Sequence, residues 1–141
     1  MNTSHVDTDG DELVDILSST ITVDACGTVR YKDGSGRLHR VNGPTVVYCS
    51  GELWYRNGLR HRLHGPAVIF YDGHSEWYLH DKLHREDGPA VVYAGGGRVA
   101  WFLNDQFMTE EEFNEHMSVK RRVDRAALTD QVGGSGRDGN L

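Results

Sequence analysis

The chain has 141 residues, with 15 Lys and Arg against 21 Asp and Glu, eight His, 17 Gly, three Pro and two Cys. That length suits one domain with flanking segments, and a 38% hydrophobic share requires the apolar residues to be concentrated in part of it. No run of 18 apolar residues exists and no charged-then-apolar leader opens the chain, so neither a spanning helix nor a secretory signal is expected.

Residues 1–23 form an acidic N-terminal segment in which Asp11 to Leu17 reads as a short helix. A hairpin-repeat domain is expected over 24–107, in about three and a half units. The half unit comes first: Gly27-Thr-Val-Arg-Tyr31-Lys-Asp33-Gly34 aligns with Gly51-Glu-Leu-Trp-Tyr55-Arg-Asn57-Gly58, placing Arg30 where Trp54 stands. Pro44, Pro66 and Pro89 then each follow a Gly at spacings of 22 and 23 residues, inside His39-Arg40-Val41-Asn42-Gly43-Pro44, His61-Arg62-Leu63-His64-Gly65-Pro66 and His84-Arg85-Glu86-Asp87-Gly88-Pro89. A short apolar run follows each Pro, with Val46, Val68 and Val91 sharing a face with Tyr48, Phe70 and Tyr93 two residues on. Pro lacks an N–H and is expected at the first residue of the strand. A turn comes next, at Ser50-Gly51, Asp72-Gly73 or Gly95-Gly96-Gly97.

A second run is centred on Trp54-Tyr55, Trp77-Tyr78 or Trp101-Phe102, and closes on Asn57-Gly58, Asp81-Lys82 or Asn104-Asp105. Each unit therefore reads as a β-hairpin, bounded by residues that tolerate positive φ. Successive hairpins are expected to pair into one elongated antiparallel sheet, with the aligned Trp54, Trp77 and Trp101 stacked as an aromatic row and with Pro44, Pro66 and Pro89 as structural residues.

After the last hairpin, Thr109 with Glu112 three residues on makes a capping box, and Met108 against Phe113 a hydrophobic staple, opening a helix over 108–131. Phe113, Met117, Val123 and Ala127 are expected to form its apolar stripe, and 132–141 reads as a disordered tail.

Charge follows the same divisions. Residues 1–29 hold six acids and no Lys or Arg, whereas 30–105 hold ten basic and eight acidic side chains with six of the His. The repeat region is thus mildly basic between acidic flanks. His39, His61 and His84 sit two strands apart, roughly 10 Å, too far to converge on one metal. They are read as hydrogen-bonding the turn before each Gly-Pro. Cys26 and Cys49 have neither zinc-ribbon nor disulfide-framework spacing, which favours a reducing, cytoplasmic setting. No nucleophile elbow, HExxH, P-loop or dinucleotide fingerprint occurs, so no catalytic residue, metal or cofactor is expected. What remains is a row of His39-Arg40, His61-Arg62 and His84-Arg85, with Arg37, Arg60 and Lys82 upstream and Tyr55 and Tyr78 near it. Such a row could receive an anionic nucleotide. The favoured alternative has Arg40, Arg62 and Arg85 capping turns or pairing with Glu52, Glu76 and Asp87 across strands. The basic excess is too small a footprint for nucleic acid.

The sequence Trp54-Tyr-Arg-Asn57-Gly58-Leu-Arg-His61 with Tyr71-Asp72-Gly73 resembles the MORN repeat (membrane occupation and recognition nexus). Its departure, His84-Arg-Glu-Asp-Gly-Pro-Ala90, resembles a MORN-like subtype of phages, large viruses and some bacteria, often ended by a helix like that at Thr109–Phe113. The resemblance spans roughly residues 24–117. It implies a non-catalytic binding module, here a phage-encoded protein in the host cytoplasm that inhibits or modulates a host protein such as a defence factor. A nucleotide-sequestering protein, or a self-assembling scaffold or antitoxin-like protein joined through a sheet edge or the C-terminal helix, are the alternatives. Membrane binding is not expected, because the net charge is negative and no basic amphipathic helix stands out.

Overall fold

The structure is a computed structural model that describes residues 19–132; the expected helix at 11–17 and the tail after 132 lie outside them. The described residues divide into two compact units, with the boundary between Phe107 and Met108.

The first unit is built on the expected sheet of consecutive antiparallel hairpins. It opens with β1 (Thr20–Val23) and β2 (Val29–Lys32), continues with β3 (Val46–Tyr48) and β4 (Gly51–Leu53), and then leaves the sheet for a small hairpin of β5 (Tyr55–Arg56) and β6 (Leu59–Arg60). The next repeat follows the same plan: β7 (Val68–Phe70) and β8 (Ser75–Glu76) lie in the sheet, and β9 (Tyr78–Leu79) and β10 (Lys82–Leu83) form the small hairpin. The last repeat contributes β11 (Val91–Val92), β12 (Val99–Leu103) and β13 (Gln106–Met108). The sheet has nine strands in the order β1-β2-β3-β4-β7-β8-β11-β12-β13. Each sheet strand is therefore beside the next one in the chain, and loop closure between neighbours stays short.

The hydrogen-bond register corrects four details of the sequence reading. Trp54 and Trp77 do not continue the sheet strand as a single run. The Trp54 N–H donates to the Ala67 carbonyl (2.7 Å) while its carbonyl accepts from the His61 N–H (3.0 Å), and Trp77 repeats this with Ala90 (2.8 Å) and His84 (3.0 Å). The strand breaks at the indole, so each of these two repeats is two hairpins rather than one, whereas β12 of the last repeat runs unbroken through Trp101 and pairs onward within the sheet. Second, Tyr31 and not Arg30 stands at the Trp position: its N–H donates to the Thr45 carbonyl (2.9 Å) and its carbonyl accepts from the His39 N–H (3.1 Å). The half unit has one more residue between this position and its His, taken up in the 33–37 loop, where the Asp33 carboxylate accepts from the Ser35 and Arg37 N–H groups.

Third, the small-hairpin turn of the middle repeat is His80-Asp81, with φ of 49° and 66°, matching Asn57-Gly58 (53° and 81°) and Asn104-Asp105 (50° and 66°). Two positive φ values in a row make the tight turn that continues strand twist. Fourth, the first sheet turn is Cys49-Ser50, because Gly51 already pairs with Tyr48 inside β4. Gly51 is needed there for closeness, since a Cβ would lie 2.2 Å from the Ile69 carbonyl oxygen. The sheet also starts earlier than residue 24, with β1 lying in the segment assigned to the acidic N-terminus.

The core is a single line of small and β-branched residues running along the sheet. Thr45, Ala67 and Ala90 are wholly buried, and Val46, Val68 and Val91 follow them, also buried. Pro44, Pro66 and Pro89 sit two residues before the first paired residue, not at it. Tyr78 joins Ala67 and Val68, with Leu53, Trp54, Phe70 and Leu83 packed around them. The Tyr48, Phe70 and Tyr93 row is linked by ring contacts: Tyr48 to Phe70 (6.1 Å between centroids), Phe70 to His74 (5.6 Å) and His74 to Tyr93 (5.6 Å).

In the second unit, α1 (Glu110–Val132) begins with the expected capping box. The Glu112 carboxylate accepts from the Thr109 N–H (2.8 Å), and the Thr109 hydroxyl accepts from the Glu112 N–H (3.2 Å). Phe113 and Met117 are buried, but Val123 is 61% exposed and Ala127 is also exposed, so the apolar stripe ends after Met117. No helix among the described residues is long and apolar enough to cross a membrane.

Candidate functional site: the grooves between the repeat loops

Each repeated residue of H-R-x-x-G-P has an identifiable structural task. The imidazoles bond a turn, but not the one before their own Gly-Pro. His39 Nδ1 accepts from the Asn57 N–H (2.9 Å), His61 Nδ1 from the His80 N–H (3.2 Å) and His84 Nδ1 from the Asn104 N–H (3.2 Å). Each His thus ties its loop to the tip of the small hairpin that follows, 18 to 20 residues on. An accepting Nδ1 fixes the neutral tautomer with its proton on Nε2. His39 and His61 are buried, and the His61 and His80 rings lie 4.4 Å apart.

The arginines work in the opposite direction, back toward the preceding unit. The guanidinium carbons of Arg40, Arg62 and Arg85 lie over the rings of Tyr31 (3.9 Å), Trp54 (3.7 Å) and Trp77 (4.1 Å). Their Nη1 groups donate to the carbonyls of Pro44 (3.0 Å), Pro66 (3.1 Å) and Pro89 (3.1 Å). Equivalent indoles two strands apart are roughly 10 Å from each other, beyond direct stacking. A guanidinium on the ring therefore takes the role that a stacked Trp row was expected to play, with cation–π attraction of about 1 kcal/mol at each site. The Gly of the motif makes room for it. A Cβ on Gly43, Gly65 or Gly88 would lie 2.8, 3.0 or 2.9 Å from the guanidinium carbon of its own loop's Arg.

Of the expected carboxylate pairs, Arg85 with Asp87 forms (2.7 Å). Glu52 instead accepts from Trp54 Nε1 (3.2 Å), and Glu76 lies on His74 Nε2 (2.9 Å). Upstream, Arg37 pairs with Asp33 (2.8 Å), while Arg60 pairs with Asp81 and lies over the Tyr78 ring (3.9 Å). Tyr78 is buried in the core, where burial and its hydrogen bond to Glu76 push the phenol up to about 12. Tyr55 is half-buried in β5. Trp101 is half-buried in β12, while Lys82 is exposed in β10.

Between consecutive loops run two grooves. One, of about 310 Å³, lies between residues 40–43 and 61–64, with Trp54 and Arg56 also in its lining. The other, of about 650 Å³, lies between residues 62–65 and 84–87, beside Trp77 and Leu79. The residues that sequence reasoning left as turn chemistry, Val41-Asn42, Leu63-His64 and Glu86-Asp87, line them. The signal that points to these six is negative: they are the two positions of a six-residue motif that do not repeat. Asn42, Leu63, His64, Glu86 and Asp87 are also exposed, while the repeated residues around them are buried or half-buried.

Electrostatically the grooves differ. The narrower one is lined by Arg40, Arg56 and Arg62 with no carboxylate among the described residues; Arg62, which lines both grooves, is held by burial below the usual guanidinium value, with the Glu52 charge opposing this. In the wider one, the Arg85 guanidinium holds the Asp87 carboxyl below the usual carboxylate value. Among the described residues, no three His, Cys, Asp or Glu side chains are grouped to hold a metal ion. No family model matches the chain, and neither the curated proteins nor the solved structures give a match.

Proposed function

We propose that the protein is a non-catalytic protein-binding module of MORN-like type, encoded by a phage, that occupies and inhibits or modulates a host protein. The observation that carries this reading is the division of labour within H-R-x-x-G-P: the repeated residues hold the loops and give every groove the same frame, and the two unrepeated ones, exposed in most cases, vary what the grooves display. A rigid frame that displays variable side chains in a row is how repeat arrays read partners. The absence of a catalytic motif from the sequence, and the use of the row's guanidinium and imidazole groups in holding the loops, support the non-catalytic part of the reading.

The test compares two variants with the unaltered chain, immobilised and exposed to host lysate. Leu63→Ser with His64→Ser alters the row; Tyr71→Ser alters an exposed residue outside both groove linings. The expected result is a stoichiometric partner retained by the unaltered chain and by Tyr71→Ser, and lost by the double variant at unchanged Tm. No retained partner, or equal retention by both variants, overturns the reading. A second reading, self-assembly, draws on edge strand β1, where Ile21 and Val23 are 61% and 65% exposed. It requires light scattering to show an oligomer that Ile21→Lys dissociates.

A further inference from the structure

The third loop contains a carboxylate seated on its own arginine. Asp87 Oδ1 accepts from Arg85 Nε (2.7 Å), on the edge of a guanidinium whose face lies on Trp77 and whose Nη1 is on Pro89. Arg40 and Arg62 have the same face on an aromatic ring and the same Nη1 on a Pro carbonyl. At the position of Asp87, however, the chain has Asn42 and His64. A guanidinium is a rigid planar fork whose edges accept carboxylates in fixed geometry, and stacking plus the Pro carbonyl bond hold that fork in place beforehand. Asp87 thus records where an acidic side chain sits on this framework.

From this we infer that the narrower groove takes an acidic peptide segment of the protein partner, its carboxylates seated on Arg62 and Arg40 as Asp87 is seated on Arg85. The inference rests on the reading of the protein as a protein-binding module and names the chemistry of what is bound. Arg40, Arg56, Arg62, His61 and His64 line this groove, and its lining includes no carboxylate among the described residues. Glu52 is the acid whose charge reaches Arg62, and it is already held on Trp54 Nε1. Leu63, 48% exposed, adds an apolar contact at the rim. The wider groove suits the same segment less, since Glu86 and Asp87 join Arg62, His64, His84 and Arg85 in its lining and Asp87 already occupies Arg85. Placement along the row is thereby set by local like-charge repulsion as well as by attraction.

The probe is a hexaglutamate peptide, which extended spans about 20 Å and so reaches both arginines, roughly 10 Å apart across two strands. Titrated calorimetrically into the full chain, it is expected to bind saturably and more weakly as salt rises. His64→Asp and Asn42→Asp place the third loop's carboxylate in the second and first loops. Each is expected to lower hexaglutamate affinity by about tenfold, through an occupied guanidinium and added repulsion. Their Tm should equal or exceed that of the unaltered chain, which separates blocked binding from misfolding. Asp87→Asn should tighten binding or add a second site. Absent binding, or binding unchanged in His64→Asp, overturns the inference. So does binding of inorganic tripolyphosphate without hexaglutamate, which would assign the groove to a phosphate ligand. If a host partner is still captured through Leu63 and His64 while hexaglutamate fails, the acidic-peptide inference alone falls. If capture does not depend on those residues, the binding-module reading falls instead.

Discussion

In the second repeat loop Arg62 lies on Trp54 and donates to the Pro66 carbonyl (3.1 Å); in the third, Arg85 lies on Trp77 and donates to the Pro89 carbonyl (3.1 Å). The two loops share a frame to within a few tenths of an ångström in these contacts. Yet Arg85 carries the Asp87 carboxylate, and Arg62 has His64 in that position. Holding the loop thus falls to the repeated residues, while the unrepeated ones set how the charge of the grooves differs from loop to loop. A frame residue should therefore act on stability whichever repeat it occupies, whereas an unrepeated residue should act on charge and binding and barely on stability.

The largest effect should come from the frame glycine. Gly65 has a φ of +138°, and a Cβ there would stand 3.0 Å from the Arg62 guanidinium carbon. Ala at this position must adopt a backbone conformation that side-chain-bearing residues avoid, and must also push the guanidinium off Trp54. Gly65→Ala is expected to cost about 2–4 kcal/mol in chemical denaturation, with a change in Trp fluorescence reporting the displaced guanidinium. A loss no greater than that of an exposed-loop Gly→Ala, such as Gly36→Ala, would mean that the frame does not depend on this contact.

A second asymmetry lies beneath the loops. The middle repeat places Tyr78 in the core where the third has Phe102. Burial and Glu76 push the Tyr78 phenol from the ordinary 10 up to about 12. Between those values the unfolded chain loses this proton and the folded chain keeps it, so stability is intact below pH 10 and falls as pH rises toward 12. The loss by pH 12 is roughly 2 kcal/mol. Tyr78→Phe, which gives the middle repeat the third repeat's ring, should flatten that alkaline decline in Tm-against-pH curves. An unchanged decline would place the alkaline sensitivity elsewhere, with Tyr48, also raised by burial, the next group to replace.

The repeat, the sheet and the capping box were legible because each rests on local signals: Gly-Pro spacing, β-branched runs between turn residues, and Thr109 three residues before Glu112. The split of the first two full units at Trp54 and Trp77 was not, because it is decided by hydrogen bonds to Ala67 and Ala90, 13 residues away, for which no local pattern exists. The same holds for Tyr31. An extra residue in the 33–37 loop shifts the frame by one, and an alignment that matches Tyr31 to Tyr55 conceals it. The His-Arg row was found as a row, but spacing could not tell a displayed cation from one held on a ring. That distinction depends on the rotamer the Gly allows. For α1, helical periodicity marked Phe113 to Ala127 as one stripe, whereas burial stops at Met117. Periodicity tells which residues share a face, not how far along the helix that face is covered.

The smallest effect belongs to the residue that distinguishes the two loops. The Arg85 guanidinium holds the Asp87 carboxyl below its ordinary value, so the pair's contribution is present above about pH 4 and is lost as pH falls through the folded-state value. The Asp87 side chain is 82% exposed, and solvent screening limits the pair to a few tenths of a kcal/mol. Asp87→Asn should lower Tm by about 1–2 °C at pH 7 and by nothing measurable at pH 3. Arg85 remains on Trp77 and Pro89 in either state, since those contacts involve no carboxylate. A Tm difference that persisted at pH 3 would show Asp87 acting through loop geometry rather than charge. The unrepeated positions would then belong to the frame, and the separation of holding from display would fail at the residue that defines it.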